Sequence, residues 1–96
     1  MQIQSIMLTG RRWFQKTYGN TYHSAKAYVN GELIGSVDFR YGYGNACIDS
    51  AFKILIEKGI VKLPEDRKYI SAFTYCKEKG IKYSEEITDV KRKGDL

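Results

Sequence analysis

Tyr22-His23-Ser24-Ala25-Lys26-Ala27-Tyr28-Val29-Asn30-Gly31-Glu32-Leu33-Ile34-Gly35-Ser36-Val37-Asp38-Phe39-Arg40-Tyr41 is a pair of alternating runs joined by a turn dipeptide. Asn-Gly is the residue pair best suited to a type I′ turn, which needs positive φ at both central positions. In the first run His23, Ala25, Ala27 and Val29 share one side, and Tyr22, Ser24, Lys26 and Tyr28 the other. Strand side chains alternate, so the first set reads as the buried face. In the second run the same rule groups Leu33, Gly35, Val37, Phe39 and Tyr41 against Glu32, Ile34, Ser36, Asp38 and Arg40. This hairpin makes the protein a sheet-based one.

Upstream, Ile3 to Lys16 suits an extended strand, and Gly19-Asn20 supplies residue types that tolerate a tight turn into Tyr22. Three antiparallel strands follow. Downstream, Asn45 is a good N-cap, and Ile48, Ala51, Phe52 and Leu55 recur at helical spacing up to Gly59. Pro64 suits the first turn of a second helix, with Glu65 and Asp66 favouring its positive end. Its apolar stripe reads as Tyr69, Ile70, Phe73 and Cys76, ending at Gly80. Both helices stop at a Lys-Gly step. Ile81 to Val90 reads as one short strand or an ordered extension. The expected fold is α+β, a three-stranded antiparallel sheet packed on two helices in the order β-β-β-α-α, with a short C-terminal strand as an addition. Residues 1–90 form one domain and residues 91–96 a basic, solvated tail.

Composition narrows the classes. The chain has 96 residues, 43% hydrophobic and 14% aromatic, which suits one packed domain and not a disordered segment. Its apolar runs are too short to span a bilayer, and Met1-Gln2-Ile3-Gln4 lacks the pattern of a secretory signal. The expected setting is therefore cytoplasmic, without a membrane partner. Cys47 and Cys76 have no CxxC or His/Cys cluster around them, so they read as buried thiols and not as metal ligands. The formal charge is +5, with acids scarce before residue 45. That balance permits a polyanion partner through phosphate neutralisation.

Gly10-Arg11-Arg12-Trp13-Phe14-Gln15-Lys16-Thr17-Tyr18 interleaves cations with large rings. Guanidinium groups bind phosphate oxygens in pairs and rings stack on bases, so this segment is the candidate nucleic-acid surface. Arg11, Arg12, Lys16, Lys26 and Arg40 are the candidate phosphate ligands, with Trp13 and Tyr18 as stacking groups. Three antiparallel strands followed by a helix also resemble in shape the DNA-reading modules of some phage-type integrases. That likeness implies Tyr22, Ser24, Lys26, Tyr28 and Arg40 as a reading face. Glu32 and Asp38 would share it, and two carboxylates facing DNA count against that version. Tyr41-Gly42-Tyr43-Gly44-Asn45 precedes a helix start and is a candidate anion or ligand loop, although no phosphate-loop motif is present. His23, the single histidine, reads as a polar residue at a sheet margin. Lys91-Arg92-Lys93 reads as a solvated run able to touch phosphate. No catalytic set, metal cluster or cofactor motif is visible.

Gly10-Arg11-Arg12-Trp13-Phe14, with Thr17 to His23, Tyr41-Gly42-Tyr43-Gly44 and Asp89-Val90 through Arg92-Lys93 to Asp95-Leu96, resembles a family of small phage- and prophage-encoded proteins without assigned activity. The resemblance spans most of the chain. It implies a host-cytosol setting and a non-enzymatic accessory protein that binds a partner. The leading expectation is binding to nucleic acid or another phosphate-rich ligand through the N-terminal hairpin. The alternatives are an inhibitor of a host enzyme or defence system, acting on a host protein or sequestering a signalling nucleotide, and a virion or assembly component that forms a homo-oligomer.

Overall fold

The Asn30-Gly31 turn forms as its chemistry requires, with φ of 53° and 81° at the two positions. It joins β2 (Asn20–Val29) to β3 (Glu32–Tyr41) in antiparallel pairing. The Asn30 side chain has a second use. Its Oδ1 accepts from the Gln4 and Ser5 N–H groups at 2.7 and 3.1 Å, and its Nδ2 donates to the Gln2 carbonyl at 2.9 Å. The turn residue therefore holds the start of β1 (Ser5–Gln15). The structure is a computed structural model that describes residues 2–63 and 70–96.

The remaining elements are α1 (Ala46–Glu57), α2 (Ala72–Lys79), β4 (Lys82–Val90) and a 3₁₀ turn at Lys93–Asp95. The four strands form one sheet in the order β3-β2-β1-β4. β1 and β2 are antiparallel, whereas β4 runs parallel to β1 with Ile6 opposite Tyr83 and Trp13 opposite Val90. The expected α+β class and its hairpins are present, and the C-terminal segment is a full nine-residue member of the sheet. β1 thus becomes an interior strand.

Both helices cover one face. Leu8, Ala27, Ala51 and Leu55 are fully buried at the centre of the contact. Gly10 faces Cys47 so closely that a Cβ there would lie 2.5 Å from both the cysteine's Cβ and its Sγ. Only a residue without a side chain lets α1 settle onto β1 at that point. Both thiols are free and buried, as expected. Burial raises both, and it takes Cys76 from its ordinary 9.0 to about 11. Neither is a reactive thiolate near neutral pH.

Several expectations need correction. β3 carries one extra residue between Leu33 and Gly35 and another between Val37 and Arg40, relative to β2. Each bulge reverses the alternation. Gly35 and Val37 keep the expected helix side, but Leu33, Phe39 and Tyr41 are exposed while Ile34 packs against the core. Asn45 occupies the N-cap of α1 without a side-chain capping bond. α2 is capped by Ser71, whose hydroxyl accepts from the Thr74 N–H at 3.2 Å. Starting there, its buried positions are Ala72, Tyr75 and Cys76. Phe73 is left 61% exposed, set edge-on to Tyr83. The roles expected for Pro64, Glu65, Asp66 and Tyr69 lie outside the described residues. Residues 91–96 are exposed apart from half-buried Leu96, yet they are tied to the sheet, as described below.

Candidate nucleic-acid interface

The face of the sheet opposite the helices is open, and the strand register arranges it in rows running across the strands. One row is Val90, Trp13, Tyr22 and Tyr41. The next contains Thr88, Arg11 and Ser24, and the third Glu86, Thr9, Lys26 and Ser36. Ser84, Met7, Tyr28 and Leu33 form the last. Two polar rows are therefore bracketed by an aromatic row and an apolar one.

The aromatic row is already stacked. Tyr22 lies 5.8 Å from Trp13 at 28° and 4.8 Å from Phe39 at 16°, with Tyr41 edge-on at 5.6 Å. Phe39 joins this group because the second bulge of β3 turns it outward. Over the polar rows runs a groove of about 350 Å³, bordered by Arg11, Lys26, Asp38, Glu86, Met7 and Leu96. Beside it lies a more open concavity lined by Arg11, Thr88, Lys91, Arg92 and Asp95. Arg11 is common to both. The groove balances two cations against two carboxylates, whereas the concavity gathers three cations around one acid. Positive charge is therefore concentrated at the concavity, while the groove pairs its cations with carboxylate acceptors.

The structure separates the two adjacent arginines. Arg11 lies on the open face and donates from Nη1 to the Asp95 carbonyl at 3.0 Å. Arg12 points to the helix side. Its Nε and Nη2 engage both oxygens of Asp89 at 2.7 and 3.0 Å, and its Nη1 donates to the Gly44 carbonyl at 3.1 Å. The Asp89 bond raises the Arg12 pKa further above its ordinary value. Arg12 is thus a clamp between β1, β4 and the loop before α1, not a phosphate ligand in waiting.

The other candidate residues divide similarly. Lys26 and Trp13 are on the open face. Lys16 and Tyr18 stand at the β1–β2 turn, with Tyr18 73% exposed. Arg40 pairs with His23, a helix-side residue, so it projects from the opposite rim and does not join Lys26. Of the loop candidates, Tyr41 belongs to the aromatic row. Gly42, Tyr43, Gly44 and Asn45 form a tied loop whose carbonyls face inward. They accept, in order, from His23, the Ala46 N–H, Arg12, and the Ile48 and Asp49 N–H groups.

His23 is not at a sheet margin. It is 1% exposed, with Nε2 2.8 Å from the Ser50 hydroxyl and Nδ1 3.3 Å from the Gly42 carbonyl. Both ring nitrogens are satisfied internally, so the ring fastens the loop to α1. Among the described residues no group of His, Cys, Asp and Glu is arranged to hold a metal ion. Among them, too, no helix is long and apolar enough to cross a membrane.

Sequence reasoning missed Phe39, Thr88, Glu86 and Leu96 as members of this face. No local signal marks them, because each arrives through a bulge, a long-range strand pairing or the folded-back tail. Compared with known proteins, the chain matches no family model, no curated protein and no solved structure.

Proposed function

We propose that this protein is a non-enzymatic binder of single-stranded nucleic acid, which it takes across the open face of its sheet. The observation that carries this reading is the stacked group Trp13, Tyr22 and Phe39 beside Arg11, Lys91 and Arg92. Stacked rings accept further flat rings at low entropic cost, and every base has a π-face to offer. Cations one strand-row away stand where a backbone leaving that stack would carry its phosphates. Duplex DNA hides its base faces within its own stack, so a platform of this kind favours splayed single strands.

The test is fluorescence anisotropy with labelled oligothymidylate and a duplex of equal length, across a salt series. Single strands are expected to bind more tightly than duplex. With about three phosphates neutralised, the log–log salt slope for the single strand is expected at roughly −2. Failure to bind either form at low salt overturns the reading.

A further inference from the structure

Residues 93–96 lie across the open face on the same groups that an incoming strand needs. The Asp95 carbonyl accepts from Arg11 at 3.0 Å, at the junction of the groove and the basic concavity. The Lys93 Nζ sits 4.9 Å from the centre of the Phe39 ring, at one end of the aromatic stack. Leu96 is half-buried and borders the groove together with Met7 and Thr9. A carbonyl oxygen thus stands at the guanidinium, a cation covers a ring face, and an apolar group borders the groove over the polar rows between them.

Resting on the single-strand reading above, we propose that residues 93–96 are a built-in competitor that holds the nucleotide's seats. The Asp95 carbonyl marks where a phosphate oxygen meets Arg11, and Leu96 marks where a base lies in the groove. Among the described residues the hold is light: one hydrogen bond, one cation–π contact, one 3₁₀ turn and the partial burial of a single leucine. Contacts of this kind are individually weak, so a strand displaces the segment without unfolding the sheet. Apparent affinity is then the intrinsic affinity reduced by the fraction of molecules with the segment open.

The experiment compares the intact chain, a chain ending at Arg92, and Leu96→Ser, using anisotropy with one labelled oligothymidylate at fixed salt. Leu96 methyl resonances are followed in the intact chain during the same titration. Both variants are expected to bind roughly three- to tenfold more tightly. The Leu96 methyl signals are expected to move to unpacked positions as the oligonucleotide saturates. The shortened chain loses Lys93 and Asp95 together and keeps its net charge, but it also takes the one acid from the basic concavity, so Leu96→Ser is the variant that separates displacement from a local charge effect. Leu96→Ser changes no charge and carries the test if the shortened chain does not fold. Equal or weaker binding by the variants, with unmoved Leu96 methyl signals, overturns the competitor while leaving the binding face in place. Absence of binding by all three chains removes both.

Discussion

The two faces of the sheet are built from alternate residues of the same strands, yet they are put to different uses. On the helix side, Ile6, Leu8, Ala25, Ala27 and Val29 are buried. On that side even the polar residues are spoken for, His23 by Ser50 and Gly42, and Arg12 by Asp89 and Gly44. On the other side Met7, Phe39 and Tyr41 are exposed, and Arg11 donates to a backbone carbonyl of the tail. Arg11 and Arg12 make the contrast sharpest, being chemically identical neighbours. The lesson is that a basic, aromatic segment is two surfaces at once, and only one of them is available to a ligand.

The comparison can be broken most severely at the centre of the helix side. Leu8→Ala is expected to cost about 2–5 kcal/mol through lost burial and an unfilled cavity, measured by urea unfolding. Met7→Ala, one residue away on the open face, is expected to cost less than about 1 kcal/mol in the same assay. Similar losses for the two would erase the distinction between the faces.

Next in size is a pH effect confined to the helix side. Burial raises the Cys76 thiol from 9.0 to about 11, so the folded state keeps the proton longer than the unfolded chain. Its stabilising contribution is therefore complete below pH 9 and is lost progressively as pH rises to 11, by up to about 3 kcal/mol. Unfolding free energies measured between pH 8 and pH 11 should fall more steeply in the natural chain than in Cys76→Ala.

Tyr22→Ala removes the centre of the aromatic group. Single-strand affinity is expected to drop by about 1–3 kcal/mol, the usual worth of one stacked base. Duplex binding, read in parallel, should change less. Finally, the two arginines should separate cleanly. Arg11→Gln is expected to reduce the magnitude of the salt slope by about 0.7 and leave the melting temperature nearly unchanged. Arg12→Gln should do the reverse, costing about 1 kcal/mol of stability for a partly exposed, bidentate pair while preserving the slope. Matching effects from the two would mean that the register does not sort them.

Much of the fold was legible because its signals are local. Asn30-Gly31, the alternation of β2, and the spacing of Ile48, Ala51, Phe52 and Leu55 each act within a few residues. The two glycines after Lys58 and Lys79 likewise take positive φ, at 74° and 69°. What was not legible is non-local. The bulges in β3 place Phe39 and Tyr41 on the open face, and a simple period of two assigns them to the core. In α2, capped by Ser71, Ala72, Tyr75 and Cys76 form the buried stripe and Phe73 faces outward, a packing choice that spacing alone did not make. For the candidate face, Arg11, Trp13 and Lys26 lie on the open side, whereas Arg12 and Arg40 are set apart from them only by their partners across the sheet.

The amino-acid sequence by itself determined the hairpins, the first helix and which residues of β2 are buried, since backbone preference and side-chain period operate over short distances. Tertiary structure alone decided that β4 pairs parallel to β1, that Asp89 captures Arg12, and that Leu96 returns to the groove. Those contacts join residues more than seventy positions apart. Their formation depends on the chain closing large loops around a common core, and no short window of residues encodes that closure.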